Sequence, residues 1–433
     1  MIQRIDLRAQ DIQGFTLPRA SVEVADALDA ATALISAVRE HGGDALYSQA
    51  EQFDGIRPPS LRVSAEELSA ALAALAPEVR AALEVAIARV RTASAAAVPP
   101  PITTEIAPGA TVEQRWQPVE RVGLYVPGGK AVYPSSVVMN VVAAQAAGVQ
   151  SIVVATPAQS HEHGRPNSTV LAACALLGVT EVLVAGGAGA IGALAYGVPG
   201  LVAPVDAVTG PGNVFVAAAK RAVAGKVGID AEAGPTEILI IADASANPTT
   251  VAADLVSQAE HDELASAILV TDSGALIESV ARELEELSAR THHAERVGIS
   301  LAGEQSALVL VDSLEDAAVI SNRYAPEHLE IITQDPEAIL RRITSAGAIF
   351  LGENSPVSLG DYAAGSNHVL PTGGVARFGS GLSAATFLRP QQVVRYSNAA
   401  LREVQATIRT LSNAENLPAH GDAVDARFTK DEN

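Results

Sequence analysis

Apolar positions recur at helical spacing through residues 22 to 52 and 64 to 97, where Ala, Leu, Val and Glu predominate, so the first third of the chain is predicted to be mostly helical. Ser64 followed three residues on by Glu67 predicts a capping-box start. Three prolines, Pro99 to Pro101, break that pattern, and a short β-like segment follows as far as Trp116 and Gln117; a hinge is expected there. From Val122 the texture changes to short apolar runs ending in Gly-rich turns, each followed by an Ala-rich stretch of helix length. The runs are V-G-L-Y-V from Val122, then 151–157, 181–187, 201–213, 237–243, 265–272, 307–312 and 347–352. That alternation predicts an α/β fold with two parallel-sheet units covered by helices on both faces. Ligands are then expected at the carboxyl ends of the strands, where these glycines fall. Beyond Gly381 the pattern reads as helical, with 398–415 the clearest stretch and a short tail after Asn416 and Pro418, so a separate arm is predicted.

Composition narrows the class. At 433 residues the chain can hold two or three domains of about 100 to 200 residues each. Hydrophobic residues make up 48% and charged ones 18%, the balance of a globular protein. A net charge of −20 argues against a partner that is nucleic acid, because phosphate tracking needs clustered Lys and Arg. Cys174, the single cysteine, lies in the apolar run L-A-A-C-A-L-L-G and reads as core, so any metal would be held by His, carboxylate or amide groups. No export signal is visible near the amino terminus, and no segment approaches the ~18 consecutive apolar residues of a membrane span. A cytoplasmic protein is expected, without a membrane partner.

Four stretches carry candidate chemistry. In S-N-R-Y-A-P-E-H-L-E, Pro326 forces a bend that presents Glu327 beside His328, a carboxylate and an imidazole suited to proton transfer, unless the pair is simply a solvated helix end. A helix from Pro248 to Asp262, with Asn247 as its N-cap, sets Gln258 and His261 three apart on one face, with Glu260 and Asp262 beside them; these are metal-capable atoms or a charged terminus in water. Asp361 and His368 sit in the Gly-rich loop L-G-D-Y-A-A-G-S-N-H, and Glu415 and His420 flank a proline in A-E-N-L-P-A-H. His161, His163, His292 and His293 have no partners at ligand spacing and read as surface. Gly187-x-Gly189-x-x-Gly192, with Asp206 further on, matches a dinucleotide fingerprint, a spacing that Ala- and Gly-rich turns also produce by chance. Gly128-Gly129-Lys130 lacks the spacing and the following hydroxyl of a phosphate-binding loop.

Together S-Q-A-E-H-D, N-R-Y-A-P-E-H-L-E, L-G-D-Y-A-A-G-S-N-H, A-E-N-L-P-A-H, G-L-Y-V-P-G-G and G-P-G-N resemble histidinol dehydrogenases, in matching order and spacing over nearly the whole chain. The resemblance implies oxidation of L-histidinol to L-histidine through the aldehyde, with two NAD+ reduced. It implies one Zn2+ per subunit on Gln258, His261, Asp361 and His420, and Glu327 and His328 as the catalytic pair. Thr236, His368 and Glu415, with the zinc ligands and His328, would contact substrate. Tyr125 and Asn213 match cofactor positions, whereas Gly189 stands where the family carries glutamine. The family is a homodimer whose carboxy-terminal arm completes the partner's site, so His420 and Glu415 would act in trans. The implied fold is two incomplete Rossmann-like domains with small terminal arms: an amino-terminal arm over 1–20, one domain from 21–121 and 238–380 holding the zinc and catalytic residues, a second over 122–237 on the NAD side, and a helical arm over 381–433.

Two other functions compete with this one. Relatives of this fold oxidise other small alcohols, such as sulfonated propanediols, with the same zinc ligands. A zinc hydrolase would use Glu327 to activate metal-bound water without a nucleotide; the Gly-rich strand ends and Asn213 count against it.

Overall fold

The structure, a computed structural model, describes residues 2–20, 24–128, 131–232 and 234–428. Among these residues the strands are, in chain order, β1 (Gln3–Asp6), β2 (Ile102–Ala107), β3 (Ala110–Pro118), β4 (Arg121–Tyr125), β5 (Ser151–Thr156), β6 (Glu181–Val184), β7 (Ala207–Thr209), β8 (Gly228–Ile229), β9 (Glu237–Ala242), β10 (Ser266–Thr271), β11 (Ala307–Leu310), β12 (His328–Ile332), β13 (Ala348–Leu351) and β14 (Leu388–Tyr396). They form two parallel sheets, one six-stranded in the order β1-β11-β10-β9-β12-β13 and one five-stranded in the order β6-β5-β4-β7-β8. A third, antiparallel sheet has the order β14-β3-β2. The fold is therefore α/β, with the two parallel sheets that the run of apolar strands predicts.

The apolar pattern explains how deeply the central strands lie. Every residue of β9 and β10 is buried, because helices cover both faces and leave no side for alternating polar residues. Ile238 and Ile240 enter one core with Val251 and Leu255, while Leu239 and Ile241 enter the other with Leu329 and Tyr324. The five-stranded sheet is covered on one side by helices Val24–His41, Gly43–Gln49 and Gly187–Tyr196, through Ala31, Ile35, Leu46 and Ile191.

Several boundaries differ from the sequence reading, each for a local reason. The helical stretch 22–52 breaks at Gly42, which adopts φ 56, and continues as Gly43–Gln49 and a π-helical turn over Ala50–Asp54. The stretch 64–97 breaks before Pro77, where Leu75 is extended; the capping box of Ser64 and Glu67 forms as expected. Helices Val24–His41 and Gly43–Gln49 pack on the second sheet, helices Ala65–Ala74 and Pro77–Ala96 pack against helices Ser168–Leu176 and Pro134–Ala147, and β1, from the amino-terminal arm, adds an edge strand to the first sheet beside β11. Of the run 201–213, only Ala207–Thr209 is strand. The region after Gly381 is not purely helical, because β14 pairs along its whole length with β3, a partner too distant in sequence to be seen in a local pattern.

The chain divides into two compact units. The first spans 1–97 and 119–387 and contains both parallel sheets. The second, residues 98–118 and 388–433, contains the antiparallel sheet and helices Asn398–Ala414 and Pro418–Asp425, the latter tied back by the Arg409 guanidinium to Asp422 and Asp425. Among the described residues, no helix is long and apolar enough to cross a membrane.

Candidate active site

Helix Leu314–Tyr324 ends with Ala325 in the left-handed region, at φ 50, a conformation that strains any residue with a Cβ. Pro326 follows, and the chain turns directly into β12, so Glu327 and His328 stand at the amino edge of a central strand. Thr236 and Glu237 begin the neighbouring strand β9 at the same edge. The Thr236 hydroxyl donates to Glu327 Oε2 over 2.5 Å and the Glu237 N–H donates to the same oxygen over 3.0 Å. His328 Nδ1 lies 3.0 Å from the Glu237 carbonyl oxygen. A carbonyl can only accept, so Nδ1 carries the proton and Nε2 keeps its lone pair. Burial pushes the Glu327 carboxyl up to about 8, against the pull of its two hydrogen bonds. Burial also lowers the His328 imidazole, which favours the neutral ring.

Gln258 closes helix Pro248–Ala259 and donates through Nε2 to Thr236 Oγ1 over 2.6 Å, which fixes the amide. Its Oε1 is buried without a hydrogen-bond partner. An unpartnered buried carbonyl is costly unless something else takes it up. His261 Nε2 is 4.0 Å from Asp361 Oδ2, and Asp361 is carried by helix Val357–Tyr362. His368 donates from Nδ1 to the Asp361 carbonyl over 3.0 Å, and its Nε2 accepts from Ser136 across 3.2 Å. Charge on His261 acts on Glu327, charge on Asp361 on His328, and both His328 and His261 on His368, so these groups form one cluster. No three His, Cys, Asp or Glu side chains converge on a metal position among the described residues. The donor set is instead an imidazole, a carboxylate and the orphaned Gln258 amide, which fits a zinc ion held without thiolate.

The second sheet supplies a different edge. Tyr125 ends β4, buried, and its hydroxyl accepts from the Gly187 N–H over 3.1 Å; burial pushes that phenol up to about 12. Gly189 and Gly192 point into the helix pair Val24–His41 and Gly43–Gln49. A Cβ on Gly189 would collide with Gln49 Oε1, and one on Gly192 would lie 3.2 Å from Ile35 Cα. The dinucleotide-like glycine spacing is thus a helix-packing feature. Asp206, which the fingerprint pairs with a ribose, has its carboxylate engaged by the Glu120 and Arg121 N–H groups at 2.9 and 3.0 Å. Asn213 caps helix Val214–Val223, accepting from Phe215 and Val216. Gly210, at φ 118, is required in G-P-G-N because a Cβ would strike the Tyr125 carbonyl. Gly129 and Lys130 lie outside the described residues.

The candidate residues therefore split between the two sheets. Tyr125 stands at the carboxyl end of β4, whereas Thr236, Glu327 and His328 stand at amino ends. Glu415 and His420 belong to the second unit, where both are exposed. Cys174 is buried as core. Sequence reasoning passed over Ser136, Gln49, Lys220 and Asp230. Lys220 Nζ donates to the Gly210 carbonyl over 2.6 Å and to Asp230 Oδ1 over 2.5 Å, bracing the G-P-G-N loop from below. A lysine closing the apolar run V-F-V-A-A-A, before Arg221, was the signal available for it.

A family model described as Histidinol dehydrogenase matches residues 17–428. A histidinol dehydrogenase of Leifsonia xyli subsp. xyli is 62% identical over 95% of this chain and 95% of its own. One from Mycolicibacterium smegmatis is 55% identical over 99% and 98%. The crystal structure of histidinol dehydrogenase from Elizabethkingia anophelis superposes with a TM-score of 0.93 at 33% identity, covering 99% of this chain and 98% of that one.

Proposed function

We propose that this chain, which belongs to the histidinol dehydrogenase family and is an oxidoreductase, oxidises L-histidinol through histidinal to L-histidine in the cytoplasm, consuming one water and reducing two NAD+. The observation that carries the reading is a neutral imidazole with a free Nε2, joined through Glu237 and Thr236 to a buried carboxyl and an unpartnered amide oxygen at one sheet edge. His328 Nε2 takes the hydroxyl proton of the alcohol as hydride leaves the carbinol carbon. Glu327 then takes a proton from the water that adds to the aldehyde carbon while the aldehyde oxygen regains the proton held on His328, and the hydrate loses the second hydride from the same carbon as neutral His328 takes one of its hydroxyl protons. Thr236 holds Glu327 and Gln258 in register, and burial of both catalytic groups keeps bulk water from the aldehyde.

Gln258, His261, Asp361 and His420 would hold one zinc ion per subunit, which when bound acts as a Lewis acid that orients the substrate's imidazole and amine. His368 and Glu415 complete the contacts to substrate. Tyr125 and Asn213 mark the side on which NAD+, when bound, receives the hydrides, while Gly189, matched to the family's cofactor position, faces Gln49 instead. The Gln49 carboxamide occupies the space above Gly189, where the family's glutamine side chain would begin. For organisation we propose an NAD-side domain over 122–237, a catalytic domain around 238–380 and a carboxy-terminal arm exchanged in a homodimer. Helix Asn398–Ala414 supports the exchange, since it buries only Ala400 and Ser412 while Leu411, Leu417, Glu415 and His420 stay exposed.

The test is a count of NADH and histidine at completion by zinc-loaded protein given L-histidinol and NAD+. Two NADH per histidine is expected. No NADH with zinc bound would falsify the reading and direct attention to other small alcohols.

A further inference from the structure

The elements that carry His328, Gln258 and Asp361 meet a second time, one layer behind the site. Glu330 follows His328 by two residues on β12 and leaves the sheet on the same face. Asp254 precedes Gln258 by four residues on helix Pro248–Ala259 and shares its face. Glu330 is 1% exposed, in register with Ile240 of β9 on one side and Phe350 of β13 on the other, within the apolar cluster that includes Val251, Leu255 and Val357. Its Oε1 accepts a 2.7 Å hydrogen bond from the N–H of Val357, the first residue of the helix that carries Asp361. Its Oε2 is buried with no N–H or hydroxyl in reach. The group whose charge and hydrogen bond act on it is the carboxyl of Asp254, part-buried on helix Pro248–Ala259. Neither carboxylate can donate, so two of them hydrogen-bond only if they share a proton.

We propose that Glu330 and Asp254 hold one proton between them as positioning residues, a clasp that fixes β12, helix Pro248–Ala259 and helix Val357–Tyr362 against one another and so sets the spacing of His328, Gln258 and Asp361. The proton sits on Glu330. Burial and then the Asp254 charge hold the Glu330 carboxyl well above the usual carboxylate range, while burial pushes Asp254 up to about 6 against the pull of the Glu330 hydrogen bond. Glu330 therefore donates from Oε2 to Asp254 and accepts at Oε1 from Val357. Among the described residues its register neighbours are apolar, Ile240 on β9 and Phe350 on β13, and helix Val357–Tyr362 presents the Val357 N–H. Along its own strand Glu330 has His328 two residues before it and Ile332 two after. Losing the proton sets a charge on the buried Glu330 against the part-buried Asp254 carboxylate and drives the helix from the strand. Because both carboxyls are raised in the folded chain, the stability they contribute is present at low pH and lost as pH rises through their folded values.

The test uses Glu330→Gln, Glu330→Ala and Asp254→Asn in the full-length, zinc-loaded chain. Glutamine keeps both hydrogen bonds, Oε1 accepting and Nε2–H donating, and cannot ionise. The infrared difference between wild type and Glu330→Gln at neutral pH is expected to show the carbonyl stretch of a protonated carboxyl, lost in the variant. Glu330→Gln is also expected to flatten the alkaline fall of the thermal midpoint. Its turnover should match wild type, while Glu330→Ala loses roughly ten- to hundredfold, the effect of one hydrogen bond to a charged partner. Should Glu330→Gln not fold, Asp254→Asn decides: the protonated band must persist at a shifted frequency. Because the Glu327 carboxyl cancels in each difference spectrum, an absent band in wild type minus Glu330→Gln, no shifted band in wild type minus Asp254→Asn, or glutamine as damaging as alanine overturns the clasp. The turnover readout rests on the proposed oxidation of histidinol. The infrared and thermal readouts do not, so the two readings fail separately.

Discussion

Replacing Thr236 by valine removes one hydroxyl and keeps the shape. That hydroxyl donates to Glu327 over 2.5 Å and accepts from Gln258 over 2.6 Å, so its loss strips the carboxylate of a donor and leaves a buried amide N–H unpaired. A hydrogen bond to a charged group is worth about 1.5 to 3 kcal/mol. Since one pH unit corresponds to about 1.4 kcal/mol, the proton on Glu327 is held more tightly by about 1 to 2 pH units in the variant. In wild type burial already pushes that carboxyl up to about 8, and Glu327 must lose its proton before it can accept one from water. Hydration of the aldehyde therefore rises with pH through that value, and in Thr236→Val the limb moves further to alkaline pH. The stability sign runs the same way: a carboxyl raised in the folded chain favours folding at low pH and ceases to as pH rises through about 8, a window that the valine variant extends upward. The assay is NADH formation from histidinal across neutral and alkaline pH for wild type, Thr236→Val and Thr236→Ser, with bound zinc measured in each. Below the limb, valine is expected to cost about ten- to hundredfold while serine restores the wild-type profile. A uniform loss with the limb unmoved and zinc content unchanged would refute the assignment of Glu327 as the base for hydration.

Three further outcomes follow from the geometry. His261→Ala and Asp361→Ala are each expected to lower the zinc bound per chain in metal analysis, and chelator-treated wild type should recover activity when zinc is restored. Gly189→Ala gains about 1 kcal/mol of helix propensity, yet its Cβ must displace Gln49 from its bond to the Leu34 carbonyl. It should destabilise the chain alone and stabilise it in a Gln49→Ala background, read as the sign of coupling in a urea double-mutant cycle. Lys220→Met leaves Asp230 buried without its cation, since the two side chains are only 2% and 6% exposed; a loss of about 3 to 5 kcal/mol is expected from the shift in urea midpoint.

The parts legible in sequence are those set by local chemistry. Continuous apolar runs such as E-I-L-I-I-A become strands buried on both faces, Asn247 and Ser64 cap the helices they precede, and Pro326 ends one helix and aims Glu327 and His328 into a strand. The Gly187-Gly189-Gly192 spacing was visible too, but a glycine pattern does not say whether a phosphate or a neighbouring helix needs the room; Gln49 and Ile35 answer that only once the helices pack. β14 could not be read from its own residues, because its hydrogen bonds go to β3, far earlier in the sequence. Nor could Ser136, Lys220 or Glu330, whose partners lie on other elements.

By itself the sequence determined which residue types could do the chemistry and the order in which strands and helices would come, since spacing, capping and proline restriction act within a few residues. Tertiary structure alone decided that Thr236, Gln258, Glu327 and His328 stand at the amino edge of one sheet and Tyr125 at the carboxyl edge of another. It also decided which carboxyls are buried deeply enough to keep a proton at neutral pH. The physical reason is that hydrogen-bond partnership and desolvation depend on what surrounds a group in space, and neighbours along the chain supply only a part of it.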